Sequence, residues 1–428
     1  MKHVGFALVV LAYLVGGLGA QDGRNPFSKP PPKKEDPPPN PGAGAGPAPA
    51  PAAGDNGAAP GNDEKRLKEL KSLNHYDNYE KALGYIKKNF AGRDWRTLPD
   101  LWCGLVFLLD GREEHAADLE KAISIGKRKI MDDKAFNGNW FVAYSALFLA
   151  IVYAHEPLED VKQALEAGFE VAIRTAEDDT KGWGHNKGWG TSSGYYKRGG
   201  AKDLGMVTAT MVAAALLARE HGVNVPKKVI DYGLQNLGSI ARGGVVPYGT
   251  SNSFVGCLSK SASAFVGLHA AKMSSNPIYG AVTSGLARDF ANIENGHAYG
   301  PIHFFGDAMA AQLVGNYGDM ASKWLGTLGS RQDGEGATSM GHDGGKRGSD
   351  GAELGATAVY ALMILMQKQK LIPPAGRKPA AKAPGAPGSG GGGSSPFGRG
   401  RPKIDDKDLP TGEAPKGPTT GNGNKDDK

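Results

Sequence analysis

His303 and Asp307 are the two residues whose types and spacing most directly suggest chemistry. They lie four apart in an apolar run, so on a helix both side chains would share one face and could line a cavity. A carboxylate beside an imidazole can orient the ring as a general base or as a metal ligand. The same pair could instead form a local hydrogen bond at a helix end. Phe304, between them, is a candidate contact for an apolar ligand.

A second candidate site is rich in aromatic residues and glycine. Trp183, His185, Trp189 and Tyr195 lie within thirteen residues, and the two tryptophans are each followed by glycine. Their rings could stack on sugars or cover an apolar ligand, although they could also anchor a loop that fills the mouth of the fold. Tyr248, beside Gly249, is a further candidate for ligand contact or for packing.

The possible metal ligands are sparse. His342 and Asp343 are flanked by glycines, and two adjacent ligands on a loop are weak evidence of a metal site. The chain has two cysteines, Cys103 and Cys257, which excludes cysteine-rich zinc modules and a disulfide scaffold. The sequence therefore predicts no metal and no cofactor.

Length and charge exclude further classes. The chain has 428 residues, with 50 Lys and Arg against 44 Asp and Glu, which gives a net charge of +6. Basic runs lie outside the apolar-rich part and are mixed with acids, so we expect no nucleic-acid partner.

The two ends of the chain differ from its middle. Residues 1–20 predict a signal peptide, because Lys2 precedes an apolar run from Val4 to Leu18 that ends in small residues. That run is shorter than the roughly 20 residues needed to cross a bilayer, although a retained anchor is the alternative. Residues 21–62 and 374–428 are rich in Pro and Gly, which favours solvated, disordered chain. We therefore expect an exported protein whose folded domain spans 63–373 and whose tails could contact the cell envelope.

Within that domain, two kinds of helical pattern alternate. Stretches that are apolar all round must be buried, while stretches with one apolar stripe cover them. Six of each predict repeated helical hairpins closed into an (α/α)6 toroid, with an open solenoid as the rival. The long links precede the apolar stretches, so we expect any site at their amino-terminal ends. The apolar stretches are 100–109, 140–154, 204–218, 258–271, 302–314 and 353–366, and the striped ones are 76–90, 113–130, 158–176, 226–240, 277–293 and 317–330.

The sequence also resembles a known superfamily over about 100–373. The resemblance rests on His303-Phe304-Phe305-Gly306-Asp307-Ala308, on Arg331-Gln332-Asp333-Gly334-Glu335-Gly336 and on Gly355-Ala356-Thr357-Ala358-Val359-Tyr360, with Gly138-Asn139-Trp140 as an earlier copy. These segments resemble the squalene-cyclase and protein-prenyltransferase α/α-toroid superfamily, and more narrowly the exported bacterial proteins with prenyltransferase and squalene-oxidase repeats. The resemblance implies a toroid fold.

The catalytic motifs of that superfamily are missing from this chain. Asp178-Asp179 lacks the remainder of the Asp-x-Asp-Asp acid, and Cys257 lacks the aspartate of the prenyltransferase zinc site. We therefore expect a non-catalytic module that binds or scaffolds a lipid, glycan or protein through its loop-rich face. The alternative is an enzyme, either a divergent terpenoid-type cyclase or a secreted carbohydrate-active enzyme.

Overall fold

A computed structural model describes residues 63–90, 97–133, 138–187, 203–248, 258–295, 299–340 and 352–374. Within these ranges the protein forms thirteen α-helices and no β-strand, which confirms the predicted all-α class. The predicted signal peptide, the 21–62 linker and the tail beyond residue 374 lie outside the described residues. The helices are α1 (Asp63–Lys71), α2 (Tyr76–Asn89), α3 (Thr97–Asp110), α4 (Ala116–Lys129), α5 (Gly138–His155), α6 (Glu159–Thr175), α7 (Gly205–Glu220), α8 (Lys227–Ile240), α9 (Leu258–Ala270), α10 (Pro277–Asp289), α11 (Gly300–Val314), α12 (Tyr317–Ser330) and α13 (Ala352–Leu365).

The predicted alternation of helix types is confirmed. The odd-numbered helices from α3 to α13 coincide with the six apolar stretches and are buried along most of their length. The even-numbered helices coincide with the striped stretches and bury one face. In α6, for example, Val161, Leu165 and Phe169 are buried while Gln163 and Glu170 are exposed. A helix with one apolar stripe gains its stability by packing that stripe against the core.

The odd-numbered helices pack on one another in chain order. α3 contacts α5, α5 contacts α7, α7 contacts α9, α9 contacts α11, and α11 contacts α13. In addition, α13 contacts α3, so the first and last apolar helices are neighbours. Each even-numbered helix packs against one or two odd-numbered ones. Each odd-numbered helix therefore has packing partners on several sides, which explains why its sequence is apolar all round.

Helix α5 is long and apolar enough to cross a membrane by length and composition. Of its most apolar 18-residue window, 83% is buried inside the protein. Burial among other helices explains the apolar composition of α5.

The segments before and after the twelve predicted helices make contacts at the carboxyl-terminal ends of α3, α5 and α11. Arg66 of α1, a helix that the sequence did not predict, donates from Nε and Nη2 to the last carbonyls of α3. After α13, Gln369, Leu371 and Ile372 are buried, and the Leu371 carbonyl lies 2.9 Å from His155 Nε2 at the end of α5. Leu371 N also donates to Gln312 Oε1 of α11 at 2.9 Å. These contacts lie at the carboxyl-terminal ends of α3, α5 and α11, opposite the amino-terminal ends where the site is predicted.

Candidate functional site

The amino-terminal ends of the apolar helices are joined by backbone hydrogen bonds from the long connections. Asn139 N at the start of α5 donates to the His185 carbonyl at 3.1 Å. Leu204 N donates to the Trp183 carbonyl at 2.9 Å, and Gly205 N donates to the Tyr248 carbonyl at 2.7 Å. The connections therefore use three of the predicted site residues to satisfy helix amides that would otherwise lack intrahelical partners.

Buried polar side chains also gather at this end. Asp100, Asn139, Asp203, Lys260 and His303 lie in the first turns of five different apolar helices or directly before them, and each is at most 1% exposed. A buried polar group is costly unless it is partnered. Polar side chains at these positions therefore constrain how the helix ends fit together.

An aromatic cluster fills the space between three apolar helices. Trp102 of α3 lies at its centre, with its ring 6.2 Å from Tyr144 of α5 and 5.8 Å from Phe305 of α11. The ring of Tyr299, directly before α11, stacks on Trp102 at 5.9 Å. Trp102, Tyr144 and Phe305 are all less than 5% exposed. Such rings gain from edge-to-face and offset contacts beyond their buried area.

The packing of this cluster extends to α13 and to a predicted site residue. A Cβ atom at Gly355 would lie 2.2 Å from Tyr299 Oη and 3.1 Å from the Trp102 ring, so α13 can approach only because residue 355 has no side chain. On the other side, Tyr144 stacks on Trp140 at 6.0 Å, and the Trp140 ring lies 6.1 Å from His185. The cluster therefore links α3, α5, α11 and α13.

Trp183 is an anchor of the fold in this structure. Its side chain is fully buried, and its Nε1 donates to the Ala172 carbonyl of α6 at 2.8 Å. Its backbone N donates to Thr208 Oγ1 of α7 at 3.1 Å. The loop-anchor interpretation of the glycine-rich segment accounts for each of these contacts.

The other aromatic and histidine candidates are distributed differently. His185 and Tyr248 are half-buried, and burial lowers the pKa of His185. Tyr299, directly before α11, is half-buried as well, so these three residues retain access to solvent at this end. Trp189, Tyr195 and His342 lie outside the described residues, as does Cys257.

His303 and Asp307 do share one face of α11, but that face packs on neighbouring elements. His303 Nδ1 lies 3.2 Å from the Ile293 carbonyl in the 3-10 helix Phe290–Asn295. Asp307 Oδ2 accepts a hydrogen bond of 2.8 Å from Ser259 Oγ of α9. Both side chains therefore contact elements that pack beside α11.

The electrostatics of Asp307 are unusual. The carboxyl group is fully buried, and this burial raises its pKa well above the ordinary value. The hydrogen bond from Ser259 acts in the opposite direction, and the charge of Asp289 adds to the increase. Desolvation penalises the charged form of a carboxyl group, so Asp307 favours its neutral form.

The Phe304 side chain packs against α12. It is fully buried, and its ring meets Trp324 of α12 edge to face at 4.9 Å. Trp324 Nε1 in turn donates to the Phe290 carbonyl at 2.8 Å. Phe304 therefore packs α11 against α12, while Phe305, the next residue, joins the aromatic cluster.

Sequence reasoning missed Trp102, Tyr144, Tyr299 and Phe305. A usable signal exists, because three of these residues occupy the sixth or seventh position of an apolar helix: Trp102 in α3, Tyr144 in α5 and Phe305 in α11. Aromatic residues at equivalent positions of parallel helices lie at the same level along the helix axes, so their rings can pack against one another.

Open space and clustered metal ligands are limited in the described part. A crevice lined by Leu108, Leu119, Val152 and Leu158 has a volume of about 10 Å³, which is barely enough for one water molecule. Among the described residues, no three His, Cys, Asp or Glu side chains are grouped to hold a metal ion.

Comparison with known proteins finds no matching family model, no matching curated protein and no matching solved structure. The resemblance to the squalene-cyclase and prenyltransferase superfamily therefore remains a prediction that rests on the sequence segments quoted above.

Proposed function

We propose that this protein is an exported, terpenoid-cyclase-like α/α toroid that acts as a non-catalytic binding or scaffolding module. In this proposal the six odd-numbered helices form the inner ring and the six even-numbered helices the outer ring. The amino-terminal end of the inner ring, with His185, Tyr248 and Tyr299 at its rim, binds the partner. The partner is a lipid, a glycan or a protein.

The order of helix contacts supports the toroid. Each inner helix contacts the next one, and α13 contacts α3, as a closed ring requires. An open solenoid would leave its first and last repeats without a mutual contact, because each repeat contacts only its neighbours. The end contacts of Leu371 with α5 and α11 also suit a ring, since these helices are three positions apart in it.

The observation that carries the non-catalytic proposal is the aromatic cluster around Trp102. A cyclase needs a chamber large enough for its substrate, whereas here Trp102, Tyr144, Tyr299 and Phe305 occupy the space between α3, α5 and α11. Packed interiors leave few voids larger than a water molecule. Binding at the rim requires no such chamber.

Native mass spectrometry of the full chain, purified gently from its own envelope, tests this proposal. We expect the mass of the chain without a bound small apolar molecule, because the interior is filled. A tightly bound lipid-sized mass that Phe305→Ala removes would overturn the filled-interior argument. Binding of isolated envelope glycans or proteins that His185→Ala and Tyr248→Ala both weaken would support recognition at the rim.

Trp102→Ala supplies the matched positive control. Removing this indole should leave an apolar cavity, and such cavities bind small apolar molecules. We expect Trp102→Ala to bind indole while the wild type does not, and we expect the variant to lose about 3 to 5 kcal/mol of unfolding free energy. Indole binding by the wild type would show that an open chamber already exists.

The enzyme alternative has one supporting observation, the buried carboxyl group of Asp307, whose pKa is raised by desolvation. A protonated acid in an apolar interior could donate a proton to an alkene, as a terpenoid-type cyclase requires. However, Asp307 and Phe305 are two residues apart, about 200° around the helix, so the acid faces away from the aromatic cluster. Conversion of a polyprenoid to a cyclic product by the wild type, and its loss in Asp307→Asn, would favour this alternative.

Export is proposed from residues 1–20 alone. Fractionation of cells that express the full chain tests it: a mature protein that begins near residue 21 outside the cytoplasm is expected. An uncleaved, membrane-bound chain would favour the anchor.

A further inference from the structure

His115 is a buried histidine at the end of the 3-10 turn Glu113–His115, which connects α3 to α4. It is 1% exposed and its ring lies 5.5 Å from that of Phe107. Its Nε2 lies 3.2 Å from Glu114 Oε1 and 3.6 Å from Asp110 Oδ1. Within the described residues, neither ring nitrogen has a partner with hydrogen-bond geometry.

The polar groups around His115 also connect α2 to the carboxyl-terminal end of α3. Asp110, also fully buried, accepts hydrogen bonds from Tyr79 Oη of α2 and from Arg112. Arg112 reaches Glu80 of α2 at 3.2 Å. Lys87 of α2 lies 3.9 Å from Glu114, so positive and negative groups from α2 and from the α3–α4 connection both face the ring.

Burial and the nearby Arg112 disfavour an imidazolium at this position, and they act against the Glu114 and Asp110 carboxylates beside Nε2. An imidazolium has two N–H donors, and Nδ1 has no acceptor among the described residues. At Nε2, a new positive charge would compete with Arg112 for the Asp110 carboxylate. The Asp110 carboxylate also accepts the hydrogen bond from Tyr79 of α2. Protonation of His115 would therefore weaken the contact between α2 and α3.

We propose that His115 is the proton-sensitive element of a latch that holds α2 against the carboxyl-terminal end of α3 and loosens on acidification. This inference goes beyond the proposed function and does not depend on it. Helix α2 also packs on α13, which in turn contacts α3, so the latch would affect how firmly α2 and α3 are held to α13.

The direction of the pH effect follows from the electrostatics. Burial lowers the pKa of His115; Asp110 and Glu114 oppose this effect, while Arg112 and Lys87 add to it. A histidine whose pKa is lower in the folded state stabilises that state in its neutral form. The stabilisation is complete above the ordinary pKa of about 6.5 and is lost as the pH falls below it.

Hydrogen exchange of the full chain between pH 7.5 and 5.0, corrected for intrinsic rates, measures the latch directly. We expect protection of amides in 76–89 to fall with acidification, by about tenfold for each unit by which folding lowers the pKa of His115. Protection in 227–240 should change much less. In His115→Gln the loss of protection in 76–89 should disappear.

His221→Gln is the matched control, because His221 is also a partly buried histidine whose pKa is lowered by burial. We expect it to keep the wild-type pH dependence in 76–89. A wild type without acid-induced loss in 76–89, or a His115→Gln variant that retains the loss, would overturn the proposal. If His115→Gln does not fold, titration of His115 in the wild type by NMR decides the matter: a pKa at or above 6.5 contradicts the latch.

Discussion

Two aspartates in this protein are equally buried, but the pKa of one is lowered and that of the other is raised. Asp110 and Asp307 are both fully buried, each on an apolar helix. Asp110 lies at the carboxyl-terminal end of α3, and Asp307 lies in the second turn of α11. Burial acts to raise the pKa of both carboxyl groups.

The partners of the two carboxyl groups account for the difference. Arg112 binds Asp110 with Nε and Nη2 at 2.8 Å each, and Tyr79 donates a further hydrogen bond, so the pKa of Asp110 falls below its ordinary value. Asp307 has one donor among the described residues, Ser259, and its pKa rises. A buried carboxyl group remains charged where a fixed cation and donors replace water, and is neutral where they are missing.

The largest effect is expected from Asp110→Ala. This change leaves Arg112 partly buried without its main carboxylate and removes the acceptor for Tyr79, so we expect a loss of about 3 to 5 kcal/mol in unfolding free energy. Chemical denaturation at pH 7.5 measures it. Asp319→Ala removes an exposed carboxylate in the first turn of α12 and should cost less than about 1 kcal/mol. Equal losses in the two variants would contradict the assigned role of Asp110.

Asp307→Asn is expected to act in the opposite direction. Because the pKa of Asp307 is raised by folding, the folded state loses stability relative to the unfolded state as the pH rises from about 4 toward the folded pKa. Asparagine is neutral throughout and should avoid this loss. It should therefore gain stability over the wild type with rising pH, by about 1.4 kcal/mol for each unit by which folding raises the pKa.

Denaturation at pH 4.5 and 7.5 measures this difference between Asp307→Asn and the wild type. A variant whose disadvantage grows toward pH 7.5 would show that Asp307 is charged and partnered, like Asp110. The comparison between the two aspartates would then fail.

The sequence predicted much of the fold because the helical pattern depends on local spacing. Val161, Leu165 and Phe169 mark the buried stripe of α6 within a few residues of one another, and all twelve predicted helical stretches are found. Helix α1 was missed because seven of its nine residues are charged; Arg66 is fixed by the distant carbonyls of Leu109 and Asp110.

The candidate site was less predictable because its contacts join distant parts of the chain. Trp102 and Phe305 are about 200 residues apart, and Gly355 matters through its close approach to Tyr299. The pair His303 and Asp307 was recognised from its spacing, but spacing alone does not tell which neighbours face a helix. Ser259 was not chosen as a partner for Asp307 for the same reason.

Ser259→Ala is expected to give the smallest effect and the sharpest test of the neutral state of Asp307. A hydrogen bond between neutral groups contributes about 0.5 to 1.5 kcal/mol, whereas one to a charged group contributes about 1.5 to 3 kcal/mol. Ser259 Oγ donates to Asp307, so a loss in the lower range at pH 7.5 indicates a neutral carboxyl group. Asp307→Ala and the double variant complete a cycle that isolates this one hydrogen bond, because alanine has no acceptor for Ser259. A coupling energy in the upper range would mean that Asp307 is ionised, and the two buried carboxyl groups would then be electrostatically alike.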